Sequence, residues 1–229
     1  MRLSEPFWNY WDLLIAIGLC APAYAANALV LLVIRNAPKV VKANLGTLVF
    51  YVVLFGAMYF VLSRKYSNSL KNGLALTLGP ISSWKAALAG VVLAFAVSAL
   101  GALLPAADPV SPMSGYLESK LGLVLVLIAS TTIMPVCEEI TFRGFLLPLF
   151  AKTLGIWPAI VVTALPFALL HGWQYSWAWQ PILVLLITGA AFGWIRVAGQ
   201  STISAGVMHA SYNLIPSLIS IADHPELSR

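Results

Sequence analysis

Long apolar runs separated by short polar segments dominate the pattern of this chain. Seven runs are long enough, or nearly so, to cross a bilayer as helices: residues 11–34, 45–63, 84–104, 121–150, 155–171, 181–196 and 202–221. A helix needs roughly 20 apolar residues to span the hydrocarbon layer, whereas a membrane β-barrel would show short segments of alternating polarity. Since the fourth run has room for one tilted helix or two joined pieces, we predict an all-α, polytopic transmembrane helical bundle with about seven to eight spans.

Composition leads to the same class of protein. Hydrophobic residues make up 60% of the chain and charged residues only 9%, with a mean hydropathy of +0.89. A soluble domain normally carries about 25% charged residues, so this chain lacks the polar groups to cover a water-exposed surface. The net charge of +5 is assigned to loop lysines and arginines that orient a membrane protein. No basic run is interleaved with aromatic residues, so the lipid bilayer and not a nucleic acid is the expected partner.

The N-terminal region is expected to remain in the membrane. The first apolar run continues to residue 34, beyond the length of a cleaved signal segment, and it is interpreted as a retained span. Asp12, at its start, is expected to be solvated at the membrane surface. The two cysteines, Cys20 and Cys137, both fall in apolar runs. They form neither a disulfide framework nor a metal-binding CxxC pair.

A proline- and serine-rich segment divides the chain. Residues 105–120, PAADPVSPMSGYLESK, are predicted to connect an N-terminal three-helix membrane part, 1–104, to a C-terminal helical bundle, 121–221, which a polar tail, 222–229, follows. Within the fourth run, Pro135 removes a backbone donor, so an interruption of the helix is expected just before two adjacent glutamates.

Ionisable side chains cluster in this C-terminal bundle, although charges inside a membrane are costly and are by default candidates for function. The cluster contains Glu138, Glu139, Arg143, His171, His209 and Asn213. Because residues four apart share a helix face, Glu139 and Arg143 are predicted to form an intrahelical ion pair. Glu138 has no such local partner and is predicted to meet His171 and His209 from other helices.

These groups suit the hydrolysis of an amide bond inside a membrane. A carboxylate in low dielectric can take a proton from water near neutral pH, an imidazole can orient that water, and a histidine and an asparagine can donate to an oxyanion. Zinc is the alternative, with Glu138, His171 and His209 as ligands. Purely structural interpretations also remain open: a Glu–Arg pair that stabilises the helix, a hydrogen-bonded core histidine, and polar contacts between helices.

Three motifs in order along the chain resemble those of the CPBP family, also called Abi, which contains CAAX prenyl endopeptidases of the Ras-converting type and bacteriocin-processing relatives. They are Glu138-Glu139-x-x-x-Arg143 followed by Gly144, Phe167-x-x-x-His171 and His209-x-x-x-Asn213. The resemblance covers roughly residues 117–221. It implies that Glu138 activates the attacking water with His171, and that His209 and Asn213 stabilise the oxyanion. Glu139, Arg143 and Phe167 would support the site.

The resemblance implies an intramembrane endopeptidase that cleaves a membrane-associated protein or peptide and needs no cofactor. Two alternatives stay open: a zinc-dependent protease that uses the same residues, and a non-enzymatic membrane binding or immunity protein. A transporter would be expected to show internal repeats, and none is apparent in the sequence. The short loops favour a compact protein of a prokaryotic inner (cytoplasmic) membrane.

Overall fold

The computed structural model describes residues 3–105 and 119–223, and within these ranges the chain is a bundle of helices without strands. Eight helices are described: α1 Tyr10–Val33, α2 Lys39–Lys65, α3 Leu70–Gly73, α4 Ser83–Leu103, α5 Lys120–Leu154, α6 Ile156–Leu170, α7 Trp179–Gly199 and α8 Thr202–Asp223. A 3₁₀ turn, Gly172–Tyr175, follows α6. The predicted fold class is confirmed.

Each of the seven apolar runs corresponds to one helix, but fewer of these helices qualify as membrane spans than the seven to eight that were predicted. Five of these helices, α1, α2, α4, α5 and α7, are long and apolar enough to cross a membrane, and α6 is a shorter apolar helix. The protein is therefore an integral membrane protein. Most of the predicted connector, residues 106–118, and most of the predicted polar tail, residues 224–229, lie outside the described residues.

Helix α5 carries two π-helical stretches, Ala129–Ile133 and Ile140–Leu146, on either side of the α-helical turn Met134–Glu139. Prolines explain their positions. Pro135 and Pro148 lack the amide hydrogen that an α-helix would pair with the carbonyls of Thr131 and Gly144, four residues earlier. Each of those carbonyls lies in one of the π-helical stretches, where wider turns replace the α-helical pattern. The interruption expected near Pro135 thus appears as a change in helical winding that flanks both glutamates.

The expectation that Asp12 is solvated is wrong. Its side chain has 0% exposure: its carboxylate accepts from the backbone N–H of Asn9 at 2.9 Å, from Lys65 Nζ at 2.7 Å and from the Tyr66 hydroxyl at 2.7 Å. The capping box between Asn9 and Asp12 holds the carboxylate at the start of α1. The C-terminal end of α2 meets that point, and the ion pair joins the two helices on one side of the membrane.

Residues that precede α1 are fastened to α5. The indole Nε1 of Trp8 donates to the backbone carbonyl of Phe145 at 3.1 Å, and the two rings stack 5.4 Å apart. Trp8 is fully buried and packs in a cluster with Leu62 and Leu149. The N-terminal segment therefore contacts α5 within its second π-helical stretch, two residues after Arg143.

Helix α4 packs against the C-terminal bundle through a row of small residues. Ala86, Gly90 and Ala94 recur every four residues and are all buried. A Cβ atom on Gly90 would collide with the carbonyl oxygen of Met208 and the hydroxyl of Ser211, which shows how closely the backbones of α4 and α8 approach. Small residues allow this approach where no water drives helices together. Because α8 carries His209, α4 supports the helix that holds part of the predicted site.

We expect Gly90→Ala to destabilise the folded protein by about 1–3 kcal/mol, because the added methyl group overpacks the α4–α8 contact. Thermal unfolding of the purified protein in one detergent measures the effect. Gly56→Ala is the matched control, since a Cβ atom there has open space around it. Equal destabilisation by the two substitutions would contradict the close packing of α4 on α8.

Candidate active site

Glu138 lies between two histidines delivered by other helices. Its Oε2 atom is 4.0 Å from His171 Nε2, at the end of α6, and 3.8 Å from His209 Nε2 in α8. Both distances exceed a direct hydrogen bond, so the three polar atoms face one another around a space that a small molecule such as water can bridge. The side chains of Glu138 and His171 keep 16% and 20% of their surface exposed, which leaves this group accessible. The structure thus brings together three residues that the sequence predicted to meet.

The backbone fixes the orientation and the tautomer of His171. Its Nδ1 atom lies 2.7 Å from the carbonyl oxygen of Phe167, one turn earlier on α6. A carbonyl only accepts, so Nδ1 carries the proton and the neutral ring presents the lone pair of Nε2 toward Glu138. His171 can therefore accept a hydrogen bond from a molecule bound beside the carboxylate.

Glu139 belongs to a buried network behind Glu138, and His209 contacts both glutamates. Its Oε1 atom accepts from Arg143 Nη1 at 2.8 Å, as the i,i+4 spacing predicted, and from His209 Nδ1 at 2.9 Å. Arg143 also donates through Nη2 to the carbonyl of Gly189 at 2.7 Å. The side chains of Glu139 and Arg143 are 1% and 0% exposed. Glu139 is consequently out of reach of a substrate, whereas Glu138 is accessible.

Three phenylalanines surround the Arg143 guanidinium. Its Cζ atom lies 5.7 Å from the ring centre of Phe142, 4.6 Å from Phe167 and 5.3 Å from Phe192. Such cation–π contacts stabilise a cation that has been removed from water. Phe167 also contacts the rings of His171 and His209, with centroids 4.8 Å and 5.8 Å away. It therefore packs against the guanidinium and both histidines at once.

Asn213 lies one turn beyond His209 on α8 and is tied to α5. Its Nδ2 atom donates to the backbone carbonyl of Ser130 at 2.8 Å. Ser130 belongs to the first π-helical stretch of α5, and its hydroxyl is also within hydrogen-bond distance of the Ser217 hydroxyl, at 3.3 Å. Because an amide nitrogen has two hydrogens, this bond uses one donor of Asn213 and leaves the other.

Sequence reasoning missed several contacts of the site. It paired Glu139 with Arg143 only, but Glu139 also accepts from His209. The backbone carbonyls of Gly189 and Ser130, which accept from Arg143 and Asn213, cannot be recognised in the sequence. Phe192, whose ring stacks on His209 at 4.4 Å, was missed as well. Helix α2 packs against the first part of α5, the helix that carries Glu138. The N-terminal part therefore reaches the surroundings of the site.

The metal alternative can be compared with the geometry. Among residues 3–105 and 119–223, no set of three His, Cys, Asp or Glu side chains is arranged to hold a metal ion. Glu138, His171 and His209 face one another at separations that suit a bridging water. They would have to move to close around a zinc ion with ligand bonds of about 2.0–2.2 Å.

The comparisons with known proteins agree with the motifs. Residues 120–215 match the Rce1-like family, described as type II CAAX prenyl endopeptidase Rce1-like. This range contains α5, α6, α7 and most of α8, and it includes Glu138, Glu139, Arg143, His171, His209 and Asn213. The family resemblance predicted from the motifs is confirmed over this part of the chain. No curated protein and no solved structure matches at a significant level. The family match supports a membrane-embedded protease of the CAAX type, whose substrate is a membrane-associated protein.

Proposed function

We propose that this protein is an intramembrane endopeptidase in which Glu138 and His171 activate a water molecule to hydrolyse a peptide bond. The observation that carries the proposal is the approach of His171 Nε2 and His209 Nε2 to one oxygen of Glu138, at 4.0 Å and 3.8 Å. The proposed substrate is a membrane-associated protein or peptide, and a prokaryotic cytoplasmic membrane remains the predicted location.

In the first step of the reaction, Glu138 acts as the general base and His171 orients the water. A water molecule between Glu138 and His171 would give one proton to the carboxylate as its oxygen attacks the peptide carbonyl carbon. The lone pair of His171 Nε2 would accept the other hydrogen and aim the oxygen. This direction follows from the bond between His171 Nδ1 and the Phe167 carbonyl.

The second step concerns the oxyanion. His209 Nδ1 is occupied by Glu139, so Nε2 is the ring nitrogen that would face the substrate, and it donates when it carries a proton. The second hydrogen of the Asn213 amide would provide another donor. These roles require His209 and Asn213 to direct their N–H groups at the carbonyl oxygen while the water attacks the carbonyl carbon.

Charge balance links the two steps. Glu138 and Glu139 together carry two negative charges when ionised, and Arg143 supplies one positive charge. One further proton makes this largely buried cluster neutral, and buried charges are tolerable when they are balanced. We infer that Glu138 and His209 exchange this proton: it resides on His209 while Glu138 acts as a base, and it is available afterwards for the departing amine.

The site resides in a membrane bundle, so we expect a peptide inserted in vesicles to be cleaved, whereas a freely soluble peptide of the same sequence is not. The assay uses the full chain reconstituted in vesicles, with products identified by mass spectrometry.

We expect His171→Gln to lower kcat about 100-fold with little change in KM, because glutamine cannot orient the water as the fixed imidazole does. A peptide that is bound but never cleaved by the wild-type protein would favour the non-enzymatic alternative.

A further inference from the structure

A cavity with polar lining lies between α1 and α2, at the end of the hairpin that these helices form and away from the Lys65–Asp12 ion pair. Its volume is about 480 Å³. The side chains that line it and that matter here are Asn27, Leu31, Arg35, Lys39, Lys42 and Thr47. None of these residues belongs to the candidate active site, and the family match begins only at residue 120.

Three cations surround the opening of this cavity. Arg35 lies in the connection after α1, whereas Lys39 and Lys42 occupy the first turn of α2. Lys42 Nζ donates to the backbone carbonyl of Arg35 at 3.2 Å, which holds the two residues together. No carboxylate among the described residues forms an ion pair with any of the three. Three positive charges around one cavity, without acidic partners in the described chain, favour an anionic ligand from outside.

Asn27 places an amide deeper in the same cavity. It lies on α1 about two turns before that helix ends at Val33, so it is inside the apolar level of the hairpin. Its Oδ1 atom is buried without a hydrogen-bond partner, and no described residue accepts from its Nδ2 group. The oxygen packs against Gly46, where a Cβ atom would come within 2.5 Å of it. An amide in an apolar layer is costly unless it is hydrogen-bonded. The oxygen is covered by Gly46, whereas the Nδ2 group is not buried, so this open donor indicates a ligand whose acceptor atoms lie deeper than its charged group.

Apolar side chains at the same level are open to lipid. Leu32 and Val33, at the end of α1, are 69% and 85% exposed. A ligand in the cavity would therefore meet cations at the membrane surface, an amide about two turns deeper and a hydrocarbon-compatible surface beside both. A phospholipid has its phosphate, its glycerol esters and its acyl chains in this order.

From this arrangement we propose that the α1–α2 cavity binds the phosphate and glycerol ester groups of an anionic phospholipid. Arg35, Lys39 and Lys42 would contact the phosphate region, and the Asn27 amide would donate to an ester oxygen. The proposal is independent of the proteolytic function, because it concerns only the helices that lie outside the family match.

Native mass spectrometry of the full chain in detergent micelles doped with phosphatidylglycerol or phosphatidylcholine tests this proposal. We expect the wild-type protein to retain phosphatidylglycerol and to release phosphatidylcholine. The triple variant Arg35→Gln, Lys39→Gln, Lys42→Gln should bind phosphatidylglycerol about 100-fold more weakly, which corresponds to about 1 kcal/mol for each charge near an anionic lipid. Asn27→Leu should weaken retention further when combined with it.

The matched control neutralises three exposed cations at the other side of the membrane: Arg64→Gln, Lys71→Gln, Lys85→Gln. This control should retain phosphatidylglycerol as the wild-type protein does. Size-exclusion chromatography verifies folding, and Lys39→Glu replaces the triple variant if that variant does not fold; it should weaken retention by repulsion. Equal binding of the two lipids, undiminished retention by the triple variant and by Lys39→Glu, or displacement of the lipid by inorganic phosphate would each overturn the proposal.

Discussion

Replacing Glu138 with glutamine is expected to lower kcat for peptide cleavage by about 10²–10⁴-fold while KM changes little. Glutamine has nearly the same shape, but it cannot accept a proton from water, and a positioned general base contributes about this much to a reaction rate. A loss in kcat without a change in KM indicates a group that acts in the transition state and not in binding. Initial rates on one membrane-inserted peptide, over a range of peptide densities, give both constants.

Two controls separate chemistry from stability in this experiment. Glu5→Gln removes a carboxylate that is exposed and lies 3.7 Å from Lys152, so it should leave both constants unchanged. The thermal unfolding of Glu138→Gln should resemble that of the wild-type protein, because Glu138 makes no direct hydrogen bond to either histidine. A Glu138→Gln protein that is folded and fully active would refute the assignment of Glu138 as the base.

Replacing Arg143 with methionine is expected to destabilise the protein by about 3–5 kcal/mol. The substitution leaves Glu139 in the core without its principal counter-charge, and removing one member of a buried ion pair has a cost of this size. It also removes the bond to the Gly189 carbonyl and the contacts with three aromatic rings. Denaturant or thermal unfolding of the purified protein measures the change.

A second substitution makes this experiment specific to the ion pair. The double variant Glu139→Gln, Arg143→Met carries no uncompensated carboxylate, and we expect its stability to exceed that of Arg143→Met alone. Recovery of folded protein in detergent serves as the readout if the single variant does not accumulate. Arg64→Met is the matched control, since Arg64 is exposed at the end of α2 and should tolerate the change. A stable Arg143→Met protein would contradict the described network.

The sequence predicted the helices and the members of the site because both depend on local patterns. Apolar runs in a bilayer have to form helices, since no water is present to satisfy their backbone groups. The i,i+4 spacing of Glu139 and Arg143 predicted their ion pair, and the lack of a local partner for Glu138 predicted contacts with His171 and His209. Each of these inferences depended either on residue spacing within a single helix or on the free-energy cost of leaving a charge unpaired inside the membrane.

Other features depend on how helices meet, and no local pattern shows that. Asp12 appeared to be an isolated surface carboxylate because its partners, Lys65 and Tyr66, lie more than 50 residues later. The bond from Glu139 to His209 spans 70 residues, and the approach of Asn213 to the Ser130 carbonyl spans 83. The only sign of the π-helical stretches in the sequence is the pair of prolines, Pro135 and Pro148. Each proline shows where a backbone hydrogen bond of the helix is lost, but not which helical conformation replaces it.

Metal-stripped protein provides the most direct test of the central claim, that Glu138 and His171 activate water for peptide hydrolysis. The measurement is the amount of cleaved, membrane-inserted peptide formed by wild-type protein and by Glu138→Gln in identical vesicles, with and without a zinc chelator. We predict that the wild-type protein cleaves the peptide at the same rate with and without chelator, and that Glu138→Gln is almost inactive in both. Activity lost in chelator and restored by added zinc, or cleavage by Glu138→Gln at the wild-type rate, would contradict this account.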